Sequence, residues 1–295
     1  MEPIPYDKRS GKIWYNGQPT NWSDVKIHVL SHGLHYASCV FEGERVYDGE
    51  IFKLEEHTER LFHSAFRLGI KIPYDQKLLN KACKDIVAIQ KVKNGYVRPV
   101  VWRGSEMMAI SAQKTKIHVA IASWEWGSYF DPNLKLKGIK LNISKWKRPA
   151  PDTIPWDTKA SGLYMICTLS KHEAEQKGFT DSLMLDYQGN IAEATGANIF
   201  FKSKSGELHT PTPDSFLNGI TRRCVIEIAK SKGIKIFERK IKPEEMENFV
   251  GCFLTGTAAE VTPVSQIDKY NFSVCNVIKD LSESYQALVR KKTAA

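Results

Sequence analysis

A chain of 295 residues is long for one hydrophobic core, so two domains are expected. Its 42% apolar and 25% charged content is ordinary for a soluble globular enzyme. The net charge of +9 fits an anionic ligand, yet the basic residues lie dispersed among acids, without a long basic run or zinc-finger spacing, which argues against nucleic acid.

The six cysteines, Cys39, Cys83, Cys167, Cys224, Cys252 and Cys275, are widely spaced and form no Cys-x-x-Cys pair. That spacing predicts reduced, mostly buried thiols in place of a disulfide framework or a zinc site, and no metal is expected. Residues 1–9 lack an apolar signal core and no apolar run is long enough to span a bilayer, so a cytoplasmic protein without membrane contact is expected.

Asn16-Gly17 predicts a hairpin with strand 12–15, because that dipeptide favours a primed two-residue turn. Residues 25–30 alternate well enough to predict another strand. The mixture of small, aromatic and polar residues at 31–45 suits a loop and short helix at a pocket wall. Asp48-Gly49 marks a second hairpin between 44–47 and 50–53. Helices follow over 55–68 and about 75–93, then strands over 96–103 and 116–124. Between these strands, residues 104–110 form an exposed loop carrying apolar side chains, a loop that covers something.

Residues 126–133 break all periodicity and are read as the connection between a small N-terminal domain, 1–125, and a larger one, 134–295. The second half opens with a strand near 139–144 and a proline-rich loop, 148–155. A helix over 163–177 leads to strand 182–187, the Gln188-Gly189 turn and returning strand 190–193. Helix 221–232 ends at Gly233. Strand 234–238, a short helix at 243–249 and strand 252–254 complete the series.

Two residues are candidates for the chemistry, weighed against the solvated surface that most of the 42 Lys and Arg residues must occupy. Lys159 stands where small residues begin a helix, and a partly desolvated lysine there favours the neutral amine, the nucleophile that forms a Schiff base with an aldehyde cofactor. Glu193, at the end of the returning strand, offers a carboxylate for the pyridinium nitrogen of pyridoxal phosphate. Gly219-Ile220-Thr221 at a helix start reads as a phosphate cup, or as an ordinary threonine cap. Thr255-Gly256-Thr257-Ala258 is a second cluster of small residues, or a simple tight turn.

The run Leu185-Asp186-Tyr187-Gln188-Gly189-Asn190-Ile191-Ala192-Glu193, followed by Asn198 and Phe200, resembles the segment after the catalytic lysine in branched-chain amino acid aminotransferases, a group of fold-type IV, class IV pyridoxal-phosphate enzymes. Gly219-Ile220-Thr221-Arg222, Gly256 to Val264, Tyr96-Val97-Arg98 and Phe41-Glu42-Gly43-Glu44-Arg45 resemble further motifs of that family, and the likeness covers nearly the whole chain. It implies an α/β fold of two domains with the cofactor in the cleft between them. The implied reaction is transamination of L-leucine, L-isoleucine and L-valine with 2-oxoglutarate.

Carried over residue by residue, the resemblance implies Lys159 as the catalytic Schiff-base lysine and Tyr164 as partner of the cofactor's phenolic oxygen. Glu193 serves the ring nitrogen, and Arg60, Ile220, Thr221, Gly256 and Thr257 hold the phosphate. Tyr96, Thr257 and Ala258 take the substrate's α-carboxylate. Tyr36, Arg98 and Tyr129 meet the distal carboxylate, while Phe41 and Tyr164 supply apolar wall. Ile110 reaches the neighbouring subunit's pocket, which implies a homodimer or a higher assembly of dimers. The chain departs from the family at Pro155-Trp156-Asp157-Thr158, at Glu193-Ala194-Thr195-Gly196 and at Arg103 to Met108, where smaller or glycine-richer residues are usual. Rival readings are a D-amino acid or (R)-amine transaminase or an aminodeoxychorismate lyase of the same fold. More remote is a non-catalytic protein binding anions or nucleic acid.

Overall fold

The chain, seen in a computed structural model that describes residues 4–127, 130 and 137–290, divides into two compact units. The first comprises residues 1–127 and 158–162, the second 128–157 and 163–295.

In the first unit, β1 (Lys12–Tyr15) and β2 (Gln18–Asn21) form the expected hairpin, with Asn16 at φ 48° and Gly17 at φ 106°. Both turn positions need positive φ, which is why this dipeptide marks the turn. A short helix α1 (His32–Tyr36) leads into β3 (Cys39–Phe41), β4 (Glu44–Tyr47) and β5 (Glu50–Ile51). Helices α2 (Leu54–Arg67) and α3 (Gln76–Ile89) follow, the latter capped by Asp75, whose carboxylate accepts from the Leu78 amide at 2.7 Å. Long strands β6 (Gly95–Arg103) and β7 (Ile117–Glu125) complete a sheet of order β2-β1-β7-β6-β4-β5, with β3 also on β6. Val97, Val101, Val119 and Ile121 of the central strands are fully buried, as are Leu61, Leu79 and Ile86 of the helices.

Residues 25–30 are not a strand. Ile27 and Val29 are 52% and 66% exposed, and alternation without a neighbouring edge to bond leaves the backbone irregular. A second difference concerns the lysine. Residues 158–162, placed by the sequence in the larger domain, join the first unit. Ala160 bridges Val40, the Phe41 amide donates to the Lys159 carbonyl at 3.1 Å, and the Lys159 amide donates to Ser64 Oγ at 3.0 Å. Of the expected connection at 126–133, residues 128, 129 and 131–133 lie outside the described residues.

The second unit begins with β8 (Ile139–Ile143). A 3₁₀ turn, Ser161–Tyr164, precedes α4 (Met165–Gln176), and β9 (Asp181–Leu185), β10 (Ile191–Ala194), β11 (Asn198–Ser203) and β12 (Leu208–Pro211) follow. Helix α5 (Ile220–Ser231), β13 (Ile236–Arg239), the 3₁₀ segment Pro243–Asn248, β14 (Phe249–Gly256), β15 (Glu260–Ile267), β16 (Tyr270–Asn271) and α6 (Asn276–Val289) complete it. Pairing runs β10-β9-β8-β15-β14-β11 and returns from β11 to β10. These six strands therefore close a circuit, and the closing pair is Glu193 with Asn198. Leu141, Leu183, Ile199 and Val264, from β8, β9, β11 and β15, are completely buried in one apolar cluster with Cys252 and Leu254 of β14. No helix among the described residues is long and apolar enough to cross a membrane, and no cluster of His, Cys, Asp or Glu among them could hold a metal.

Candidate active site

Within the first unit, Lys159 is half-buried and its Nζ lies 5.0 Å from the centre of the Phe41 ring. Desolvation, and then the Arg60 charge, push the amine down to about 8, against the opposing pull of Glu42 and Tyr96. Such an amine is part neutral near pH 7 and can act as a nucleophile.

Arg60, on α2, is clamped by Glu42. Its Nε donates to Oε1 at 2.6 Å and its Nη2 to Oε2 at 2.9 Å, a two-point guanidinium–carboxylate pair. His57, one helical turn earlier, donates from Nδ1 to the same Oε2 at 2.7 Å, and the Gly43 amide does so at 3.2 Å. Burial alone would raise the Glu42 acid, but Arg60 and His57 outweigh it and hold the carboxyl far below its ordinary range. Burial also lowers His57, so the imidazole is neutral and acts as a donor.

Arg98 and Tyr96 project from β6. The guanidinium Cζ lies 4.6 Å from the Phe41 ring centre, and its Nη2 donates to the Tyr96 hydroxyl at 3.4 Å. A Cβ on Gly43 would stand 1.8 Å from that hydroxyl, so the glycine of the Phe-Glu-Gly run is what lets Tyr96 lie there. Tyr36 is 44% exposed and stacks on His32 at 4.5 Å. Buried His32 reaches Ser38 Oγ at 2.5 Å and the Ala109 carbonyl at 2.9 Å, anchoring the apolar 104–110 loop beside Tyr36, while the adjacent Ile110 is 85% exposed. Tyr129 lies outside the described residues.

Glu44, two residues beyond Glu42, is completely buried, and neither carboxyl oxygen has a hydrogen-bond partner. Burial, and then the neighbouring Glu42 charge, push its acid well above the ordinary carboxyl range. A raised acid costs nothing below the unfolded value of about 4.3, and the cost grows as pH rises towards the folded value. Glu44→Leu therefore stabilises the fold at pH 7 by about 1–3 kcal/mol, the usual cost of an unsatisfied buried polar group. The gain shrinks as pH falls from the raised folded value towards the unfolded value of about 4.3, below which its pH-dependent part is gone. Thermal melts at neutral and acid pH check this, and a variant less stable than the parent at neutral pH would refute it.

In the second unit, Glu193 is only 8% exposed. Asn198 Nδ2 donates to its Oε2 at 3.1 Å, and Arg148 Nε lies 3.4 Å from Oε1. The same Asn198 amide donates to the Leu217 carbonyl at 3.0 Å and accepts from the Gly219 amide at 3.0 Å. Gly219 is the N-cap of α5, with no side-chain cap, so the first-turn amides of Ile220 and Thr221 lack a local side-chain acceptor. A Cβ on Gly219 would lie 2.3 Å from Asn198 Oδ1, and one on Gly256 would lie 3.3 Å from both the Gly196 carbonyl and Ala197. Asn198 also pairs in register with Thr255 of β14. Glu193, the start of α5 and Gly256 at the end of β14 thus meet around one asparagine. Arg148 Nη1 reaches the Leu163 carbonyl at 3.5 Å, next to Tyr164.

Taken by itself, the first unit offers an amine of low proton affinity, suited to an aldehyde, and an arginine, suited to a phosphate. The second offers a buried carboxylate, suited to a pyridinium nitrogen, and helix-start amides with close-packed glycines, suited to an anion. Sequence reasoning missed Glu42, His57 and Arg148 and treated Asn198 only as part of a motif. Glu42 and Asn198 were visible within motif runs, whereas nothing local marks His57 or Arg148.

Residues 39–267 match the amino-transferase class IV family. The chain is 42% identical over 295 residues to a probable branched-chain-amino-acid aminotransferase of Rickettsia felis, covering 99% of this chain and 100% of that protein. The branched-chain-amino-acid aminotransferase of Pseudomonas aeruginosa is 38% identical, with 97% and 95% covered. Among solved structures, the Escherichia coli branched-chain amino acid aminotransferase matches with a TM-score of 0.92 at 34% identity, over 95% of each chain. The T.th. branched-chain amino acid aminotransferase with pyridoxamine 5'-phosphate gives 0.91 at 35% identity, over 95% and 94%. The chain belongs to the class IV amino-transferases. Within that family it groups with the branched-chain-amino-acid aminotransferases of fold-type IV and is a pyridoxal-phosphate-dependent transaminase.

Proposed function

We propose that the protein transfers the amino group between L-leucine, L-isoleucine or L-valine and 2-oxoglutarate, with pyridoxal phosphate as its cofactor. The observation that carries this reading is the half-buried Lys159, its amine pushed down to about 8 among Arg60, Glu42, Tyr96 and Arg98. The bound cofactor would supply an aldehyde carbon and an electron-withdrawing ring. Lys159 would hold the aldehyde carbon through its neutral amine and would carry the proton to and from the substrate's α-carbon.

Arg60, oriented by Glu42, and the amides of Ile220, Thr221, Gly256 and Thr257 hold the phosphate. Glu193 keeps a proton on the ring nitrogen and Tyr164 binds the phenolic oxygen. Tyr96, Thr257 and Ala258 take the α-carboxylate. Arg98, with Tyr36 and Tyr129, takes the second carboxylate of the glutamate partner, and Phe41 and Tyr164 face the branched side chain. The guanidinium face on Phe41 lets one site serve both an apolar and an anionic side chain, because ring contact compensates part of the charge when leucine is bound. Exposed Leu34, Tyr36, Met108 and Ile110 suit a homodimer in which Ile110 meets the second copy's site.

Purified protein loaded with pyridoxal phosphate is expected to show a visible band that L-leucine bleaches and 2-oxoglutarate restores, and to sediment as a dimer. D-alanine turnover without L-leucine turnover would move the protein to the D-amino acid branch. A preparation that never takes up the cofactor would defeat the reading, and an active monomer would defeat the shared site.

A further inference from the structure

Arg148 has no part in the scheme above, yet it is one of the most deeply buried charges of the second unit, at 4% exposure. The loop that carries it follows β8, and its backbone amide is pinned to the Leu185 carbonyl at 2.7 Å, at the end of β9. The guanidinium is held at one edge by Nη1, 3.3 Å from Cys167 Sγ and 3.5 Å from the Leu163 carbonyl, both near the start of α4. Its Nε has no hydrogen-bond partner and stands 3.4 Å from Glu193 Oε1.

Three features make Glu193 the acid this charge serves. The spacing of 3.4 Å is long for a hydrogen bond and short for charge pairing. Burial pushes the Cys167 thiol up to about 11, so the sulfur is an uncharged neighbour that leaves the positive charge uncompensated. The other buried acids nearby in sequence have their own donors: Asp181 accepts from Thr195 Oγ1 at 2.6 Å and the Ser182 amide at 2.8 Å, and Asp186 from the Gln188 and Asn190 amides at 2.9 and 2.8 Å. Glu193 is met by a neutral side-chain amide, from Asn198, which satisfies a lone pair without supplying charge. A carboxyl this buried favours its protonated form unless a positive charge stands close to it.

We propose that Arg148 is a positioning residue that keeps Glu193 ionised and aimed. On the reading of Glu193 as partner of the cofactor's ring nitrogen, Arg148 thereby sets how tightly this unit holds pyridoxal phosphate. The guanidinium acts through the carboxylate and touches neither cofactor nor substrate.

The test is a double-variant cycle on cofactor affinity, measured by titrating apoprotein with pyridoxal phosphate and following tryptophan fluorescence. Glu193→Gln and Arg148→Met are each expected to weaken binding about tenfold, the scale of one charge-assisted contact. Arg148→Met in the Glu193→Gln background is expected to add nothing, and Arg148→Lys to restore most of the affinity. The double variant also guards against misfolding, since it removes both buried charges together. If Glu193→Gln weakens binding while Arg148→Met does not, or if the two losses multiply, the assignment of Arg148 is wrong and the role of Glu193 stands. If Glu193→Gln leaves affinity unchanged, the role of Glu193 falls and the proposal with it.

Discussion

Lys159→Ala is expected to lower the turnover of L-leucine at least about 10,000-fold, because nucleophile and proton carrier are the same atom. The neighbouring Arg60 and Arg98 cannot stand in for it, since a guanidinium stays charged at all working pH values. Lys159→Arg is expected to be equally inactive for that reason. Uptake of pyridoxal phosphate by the apoprotein should quicken as pH rises through about 8, in step with loss of the lysine proton. Single-turnover kinetics with L-leucine check the first statement, and the rate of appearance of the visible band on both sides of that pH checks the second. The melting temperature of Lys159→Ala should be no lower than that of the parent at neutral pH, because a charged amine in that setting is desolvated at a cost. A variant that keeps more than about a hundredth of the parent rate would remove Lys159 from the chemistry.

Glu42→Ala is expected to be the most damaging substitution for folding in the first unit. The carboxylate is fully buried and answers both donor atoms of Arg60, the His57 imidazole and the Gly43 amide. Removing one partner of a buried ion pair leaves the other uncompensated, typically at about 3–5 kcal/mol. The pH sign follows from the lowered acid of Glu42. Its contribution is fully present above the unfolded value of about 4.3 and is lost as pH falls through the folded value. Parent and variant should therefore differ most at neutral pH and converge on acidification. Denaturant melts at neutral pH and below about pH 4 measure this, and an equal gap in both would contradict the assignment. Arg60 also loses its aim, so the same variant should bind inorganic phosphate and pyridoxal phosphate more weakly than Glu42→Gln, which keeps the shape and one acceptor.

Several groups of the candidate site are legible in residue order because they sit in compact runs. Asn16-Gly17 and Asp48-Gly49 announce hairpins, since few dipeptides tolerate positive φ at both positions. Glu193 and Asn198 fall five residues apart on either side of one turn, so a local motif carries both. What stayed hidden depends on distance along the chain. Arg60 looks like solvated surface on a charged helix until Glu42, 18 residues earlier, is seen to hold it. Arg148 and Glu193 lie far apart in the chain, and no periodicity links a proline-rich loop to a strand end. Residues 25–30 misled for the opposite reason, since their alternation is real but no strand edge receives it. Strands β11 and β12 and helix α6 also went unread, although α6 carries buried Ile278, Leu281 and Tyr285 on one face.

The interrupted first unit has a consequence for synthesis on the ribosome. Residues 1–127 emerge as a continuous stretch, but Val40 lacks its bridge partner Ala160, and Ser64 lacks the Lys159 amide, until residues 128–157 have also been translated. A nascent chain halted near residue 127 holds every strand of that sheet and both α2 and α3, yet it lacks Lys159. Division of the gene at that point would yield a first fragment with the Arg60–Glu42 clamp intact and the reactive amine on the other fragment. On the proposed role of Lys159, competence for transamination is withheld from every truncated product that stops short of the lysine, however well its core has formed.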